Sequence, residues 1–64
     1  MTVDLKALRK ERGMTQEELA NAVNIHRVTI AKYESGKVSP TLESAAKLAK
    51  ALGVPIERLI KKAG

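Results

Sequence analysis

A capping pattern in the first third of the chain constrains its fold more than any other feature. Thr15 is followed three residues later by Glu18, the spacing of a capping box. In such a box the hydroxyl accepts a backbone N–H at the helix start, and the carboxylate accepts the N–H of the cap residue. Apolar residues then recur at helical spacing from Leu19 to Val23. The pattern therefore predicts a short amphipathic helix that begins just after Thr15.

A second helix is predicted directly after a sharp turn at Asn24. Asparagine is the residue other than glycine that most readily takes the left-handed conformation such a turn requires. Ile30 and Tyr33 form the inner side of the helix that follows, and Gly36 is its expected C-terminal stop. Two helices this short are marginal alone, so other parts of the chain must hold them while one surface stays exposed.

Five helices account for nearly the whole chain. The first is predicted from about Val3 or Asp4 to Arg12, with Gly13 as its stop, and the second and third over residues 16–23 and 27–35. Since alternating strand patterns are absent, the sequence predicts an all-α fold. We expect one compact five-helix domain over residues 1–64, with a helix-turn-helix formed by helices 2 and 3.

The last two predicted helices follow a loop that ends at Pro40. Thr41 is the expected cap of the fourth helix and Gly53 its end. The fifth is predicted from about Pro55 or Ile56 to Lys61. The inner face of the fourth helix is predicted to carry Leu42, Ala45, Leu48, Ala49 and Leu52.

Composition excludes several classes of site. The chain has no cysteine and one histidine, so a disulfide, a thiolate zinc site and a conventional metal centre are not expected. No apolar run approaches the roughly 20 residues of a membrane span, and nothing resembles a signal peptide. We therefore expect a cytoplasmic protein. The net charge of +5 favours a polyanionic partner, although many small domains carry such a charge for solubility.

The segment from residue 15 to residue 37 resembles the helix-turn-helix of the phage-repressor-like, or Xre-type, DNA-binding family. The matching positions within it are Gln16, Leu19, Ala20, Ile25, Ile30, Tyr33 and the closing run Glu34, Ser35, Gly36 and Lys37. Further matches flank this segment at Leu5, Leu8, Arg9 and Gly13 on one side and from Pro40 through Leu59 on the other. There are two departures, because the family usually has Gly where this chain has Asn24 and Ser or Thr where it has His26.

The resemblance implies sequence-specific binding of double-stranded DNA by a transcriptional regulator or repressor, which would associate with the nucleoid. We also expect no cofactor, no membrane and no small-molecule substrate as partners. The resemblance also implies that Gln16 contacts a phosphate and braces the reading helix. The family typically pairs the positions of Arg9 and Glu34 in a salt bridge that joins the first and third helices, so these two residues are the expected structural brace.

The outer face of the third helix is the predicted reading surface. At about 100° per residue, Arg27, Val28, Ala31 and Lys32 point away from the side that Ile30 marks as buried. Arginine can donate two hydrogen bonds to guanine, lysine can donate to guanine or phosphate, and small apolar side chains can pack on a thymine methyl. The expected base contacts are therefore these four residues. The expected backbone contacts are Gln16, His26, Thr29 and Lys37.

Other functions remain as alternatives. An enzyme is not expected, because no nucleophile, paired carboxylates or phosphate-binding glycine loop appears. A helix-turn-helix protein-interaction module, such as an antitoxin or a coactivator-type adaptor, would need an exposed apolar patch, for which Ile56 and Ile60 are the candidates. The same two residues could form a homodimer through helix 5, but the cationic residues Arg58, Lys61 and Lys62 nearby make a monomer credible.

The sequence also leaves open how the chain originates. It shows no ligand-sensing or assembly domain, and its caps, prolines and glycines lie where a designer would place them. An isolated DNA-binding module and an engineered binder on this scaffold are therefore further alternatives to a natural regulator.

Overall fold

The structure, a computed structural model, describes residues 2–61 and contains five helices within that range. None of these helices combines the length and apolar character needed to cross a membrane. The all-α prediction is confirmed, with a two-stranded pairing of the chain ends added to it. In chain order the elements are β1 (Thr2–Val3), α1 (Leu5–Glu11), α2 (Gln16–Val23), α3 (Arg27–Ser35), α4 (Leu42–Leu52), α5 (Ile56–Leu59) and β2 (Ile60–Lys61).

The capping box at the start of α2 is present in full. Thr15 Oγ1 accepts the Glu18 N–H at 3.0 Å, and Glu18 Oε1 accepts the Thr15 N–H at 2.8 Å. The turn after α2 is also as predicted, because Asn24 has φ 56° and ψ 41° in the left-handed region. Gly36 ends α3 at φ 80°, where a side chain would be strained. Local signals thus fix both ends of the helix pair.

The chain ends differ from the prediction. Helix α5 stops at Leu59 rather than at Lys61, and the two residues after it form β2. This strand pairs antiparallel with β1, with Val3 opposite Ile60, so Val3 belongs to a strand and not to the first helix. The Asp4 N–H donates to the Leu59 carbonyl at 2.7 Å, which extends the pairing. Lys62, one of the cationic residues expected near helix 5, lies outside the described residues.

The core draws on every helix. The largest fully buried side chains are Leu5, Leu19, Ile30, Leu48, Leu52 and Leu59. Helix α2 packs against both α3 and α4, and α5 packs against α4. The inner face predicted for α4 is correct except at Leu42, which is 66% exposed. Leu42 is the first residue of α4, so it lies beyond the packed part of the helix.

Candidate nucleic-acid interface

A charged cluster joins α1, the start of α2 and α3. The Arg9 Nε donates to Glu34 Oε2 at 2.6 Å, and its Nη2 donates to Oε1 at 3.1 Å, so the guanidinium contacts both carboxylate oxygens. The Arg9 Nη1 donates to the Met14 carbonyl at 2.8 Å, and the Gln16 Nε2 donates to Glu34 Oε1 at 3.1 Å. Three hydrogen bonds therefore tie Glu34 of α3 to the two preceding helices, and the fourth holds Arg9 to the loop before α2.

Burial makes this cluster stronger than a surface pair. The Arg9 and Glu34 side chains are 10% and 4% exposed, so little water screens them. Burial alone raises the pKa of Glu34, but the hydrogen bonds from Arg9 and Gln16 and the charges of Arg9 and Lys6 outweigh it and leave that pKa below its ordinary value. The hydrogen bond to Glu34 raises the pKa of Arg9 despite burial. Both groups are charged at neutral pH.

The cluster also removes the one carboxylate that α3 carries. Glu34 is the only acidic residue between Arg27 and Ser35, and its charge is turned toward Arg9. Because it is neutralised there, the outer side of α3 presents no negative charge to an approaching anion.

The predicted reading residues lie where the helical periodicity placed them. Arg27, Val28 and Lys32 are exposed, with Val28 at 44%, while Ala31 is half-buried between them. Thr29 is half-buried at the edge of this face. Among the described residues, none of the four predicted base-contacting side chains takes part in a side-chain hydrogen bond or an ion pair. Their donors and apolar groups are therefore free for a ligand.

His26 caps the reading helix in an unusual way. Its ring Nδ1 accepts the Val28 N–H at 3.2 Å, the bond that a serine or threonine hydroxyl commonly provides. The His26 backbone is extended, with φ −60° and ψ 139°, as is typical of an N-cap. The imidazole thus lies at the positive end of α3, beside the exposed Arg27.

Lys37 lies at the opposite end of α3. It follows Gly36 and its backbone N–H donates to the Lys32 carbonyl at 3.1 Å, while its side chain is exposed. Gln16 is half-buried at the start of α2, with the Glu34 hydrogen bond holding its amide. The predicted backbone-contacting residues are therefore distributed around α3: His26 caps its N-terminal end, Thr29 lies at the flank, and the Gln16 amide and Lys37 lie towards its C-terminal end.

Two features of this surface were missed by the sequence reasoning. Ser35 is exposed on the same side of α3 as Arg27, eight residues on, and its hydroxyl donates to the Lys32 carbonyl at 3.1 Å. The helical periodicity could have found it. Val38 is 43% exposed in the loop after α3, and its exposure, like that of Leu42, had no signal in the sequence.

The apolar patch predicted on helix 5 is not exposed as expected. Ile56 packs against the core, and Ile60 is half-buried in the strand that pairs with Val3. Each side chain is therefore partly covered by other residues of the same chain, because the chain continues from α5 directly into β2. The large exposed apolar side chains are instead Val28, Val38 and Leu42 among residues 2–61.

Comparison with known proteins gives consistent matches. The sequence profile of the family described as helix-turn-helix matches residues 5–59. The chain is 46% identical over 56 residues to the cryptic phage CTXphi transcriptional repressor RstR of Vibrio cholerae. The aligned residues make up 88% of this chain and 50% of that protein. It is 42% identical over 59 residues to an uncharacterized HTH-type transcriptional regulator of Archaeoglobus fulgidus, covering 92% of this chain and 84% of the regulator.

A solved structure shares the arrangement of helices. The restriction-modification controller protein C.AhdI from Aeromonas hydrophila superposes with a TM-score of 0.84 at 32% identity, over 88% of this chain and 85% of that protein. The chain spans half the length of the Vibrio repressor. The similarity to these proteins therefore covers the helical part of the chain, from α1 to α5.

Proposed function

This chain belongs to the phage-repressor-like helix-turn-helix family, and from that premise we propose that it binds duplex DNA by placing α3 in the major groove. The proposal extends to a role in transcriptional regulation, most simply as a repressor, since the relatives carry names of that kind. A protein with this role would work in the cytoplasm, at the nucleoid.

One observation carries the proposal: the outer face of α3 is exposed, cationic and free of carboxylates. A merely solvated helix would mix both signs of charge, whereas Arg27 and Lys32 leave this face positive. Phosphate attraction is the sequence-independent part of DNA affinity, so a positive face without a carboxylate favours DNA over a neutral partner.

The base-contacting roles follow from side-chain chemistry. Arg27 is at the N-terminal end of α3, from which recognition helices mainly reach base edges, and it can donate two hydrogen bonds to guanine O6 and N7. Val28 offers an apolar surface to a thymine methyl. Ala31 allows the backbone to approach closely, and Lys32 can donate to guanine or to a phosphate.

The backbone-contacting roles follow from position. The Gln16 amide has a second N–H beyond the one donated to Glu34, and this N–H can donate to a phosphate. The His26 ring nitrogen that does not cap α3 can donate in the same way. With Thr29 at the flank and Lys37 at the far end, these contacts would fix the register of α3 in the groove.

Salt-dependent titration tests the proposal. The protein is titrated into a randomised pool of duplexes at several salt concentrations, and the retained sequences are read. We expect a steep negative slope of log affinity on log salt together with enrichment of a preferred sequence. Lys37→Ala is the internal standard, because losing one phosphate contact should make the slope shallower by about one without changing the preferred sequence. Absent or salt-independent binding would reject the function.

A protein-interaction module is the second candidate, on the strength of one observation. Leu42 is 66% exposed and Val38 is 43% exposed, both between the reading helix and the body of α4. Exposed apolar side chains of this size are a feature of surfaces that bind other proteins, a second copy of this chain included. A Val38→Ser, Leu42→Ser double variant that loses self-association but keeps DNA affinity would support an additional protein contact.

A further inference from the structure

A cationic groove runs between α1 and the end of α3, and of its lining residues only Glu34 has been given a role above. It is lined by Lys6 and Lys10 on α1, with Ala7 between them, and by Glu34 on α3. Both lysines and the alanine are exposed. Because the two lysines are four residues apart on one helix, their side chains lie on the same face.

The charge balance of this groove is positive. Two carboxylates line it, Glu34 and Asp4, and that of Glu34 is neutralised by Arg9. Neither lysine takes part in the two ion pairs that the described side chains form, Arg9–Glu34 and Arg58–Glu11. Asp4 precedes α1, at the end of the groove away from Lys10.

The groove borders the proposed reading surface. Glu34 is the shared landmark, since it accepts a hydrogen bond from Gln16 and is close enough to Lys6 for that charge to lower its pKa. Gln16, Lys6 and Lys10 therefore lie along one edge of α3. Ala7 also lines this groove, and it adds no charge to it.

We propose that Lys6 and Lys10 form a second track of phosphate contacts, which continues from Gln16 along one DNA strand. Four residues of helix rise by about 6 Å, a separation that lets the two flexible lysine side chains reach neighbouring phosphates of one DNA strand. The contact lengthens the protein's footprint on DNA without adding base recognition. This inference rests on the proposed DNA-binding function.

The chain offers a matched control pair. Lys47 and Lys50 are also exposed, also share one helix, and line a different groove together with Ala22, Val23 and Ala51. No residue of α3 lines that groove. Neutralising this pair changes the net charge by the same amount as neutralising Lys6 and Lys10, so a difference between the two double variants reports position rather than total charge.

The first experiment compares salt slopes. The unmodified protein, Lys6→Gln/Lys10→Gln and Lys47→Gln/Lys50→Gln are titrated with one mixed-sequence duplex of about 20 base pairs, because phosphate contacts operate on any sequence. We expect the slope for Lys6→Gln/Lys10→Gln to be shallower by nearly two, at about 0.9 per contact. The control double variant should stay close to the unmodified protein. Equal slopes for the two double variants would overturn the proposal.

The second experiment needs no substitution, so it does not depend on how a variant folds. The unmodified protein is treated with an amine-acetylating reagent with and without the same duplex, and each lysine is quantified by mass spectrometry. Lys6 and Lys10 should be protected several-fold by DNA, and Lys47 and Lys50 should not. Unchanged labelling of Lys6 and Lys10 in the complex would reject the track even if the slopes differed.

Failure of the proposal is separable from failure of the proposed function. If the unmodified protein does not bind the duplex, the DNA-binding function itself is wrong. If it binds with a steep slope and protects Lys37, while Lys6 and Lys10 behave like the control pair, the function stands and only the second track is wrong.

Discussion

The two sides of α3 are built on opposite principles. On the inner side, Ile30 is fully buried, Tyr33 is 9% exposed and Glu34 is held by Arg9 and Gln16. On the outer side, Arg27 and Lys32 are exposed, with no hydrogen bond or ion pair of their side chains among the described residues. One helix of nine residues thus separates its two tasks by face.

This contrast means that affinity and stability depend on different residues of the same helix. The inner side chains fix the position of α3 in the fold, and the outer side chains are available to contact a ligand. A large exposed surface of charged groups contributes little to folding, so it can change without loss of the fold.

The largest effect is expected inside. Ile30→Ala should lower the free energy of unfolding by about 2–5 kcal/mol, because it removes buried methyl groups and leaves a cavity in a small core. Ile30→Val should cost about 0.5–1.5 kcal/mol. Val28→Ala on the outer side is the control, with an expected change within about 0.5 kcal/mol. Urea unfolding followed by circular dichroism measures all three, and comparable losses at Val28 and Ile30 would break the comparison.

The next effect is expected outside, on binding alone. Arg27→Ala should cost roughly 1–3 kcal/mol of affinity for the preferred duplex and relax the preference at one base pair, with the melting temperature nearly unchanged. Fluorescence anisotropy with the preferred duplex and single-base variants measures this. If every duplex were weakened equally, Arg27 would contact the DNA backbone rather than a base.

The ion pair between Arg9 and Glu34 should link the stability of the fold to the affinity for DNA. A double-mutant cycle with Arg9→Ala and Glu34→Ala should give a coupling free energy on the order of 0.5–3 kcal/mol, against less than about 1 kcal/mol for an exposed pair. The exposed Arg58–Glu11 pair provides that reference within the same chain. Each variant at Arg9 or Glu34 should lose both stability and DNA affinity. Tighter binding by Glu34→Ala at unchanged stability would mean that the pair does not position α3.

The smallest effect is expected from pH. Since the pKa of Glu34 lies below its ordinary value of 4.5 in the folded chain, the stabilisation from this carboxylate is fully present above that value. It is lost as the pH falls through the lowered pKa of the folded state, because the unfolded chain takes up the proton first. Urea unfolding between pH 7 and pH 3 should show a smaller loss for Glu34→Gln than for the unmodified chain. Parallel pH profiles would contradict the pKa direction.

Local signals explain why the helix-turn-helix was predictable. Three features each depend on only a few neighbouring residues, so the local sequence predicts them: the capping box at Thr15, the left-handed Asn24 and the stop at Gly36. The exposed character of Arg27 and Lys32 followed from the same helical spacing. The ion pair between Arg9 and Glu34 was expected from family resemblance alone, since it joins residues 25 positions apart.

Long-range and axial features explain what was not predicted. The pairing of Thr2–Val3 with Ile60–Lys61 joins residues that are far apart in the sequence, and no local sequence pattern predicts it. Periodicity gives the direction in which a side chain points but not how far the packed region extends along a helix. The spacing therefore predicts a buried Leu42, whereas this side chain lies in the first turn of α4, outside the core.

The cap at His26 has a consequence for the imidazole itself. Since Nδ1 accepts the Val28 N–H, the neutral ring must carry its proton on Nε2. The backbone of α3 thereby selects one tautomer of the only histidine in the chain. Nitrogen chemical shifts distinguish the two tautomers, so this single ring is an isolated spectroscopic reporter of whether the first turn of α3 is formed.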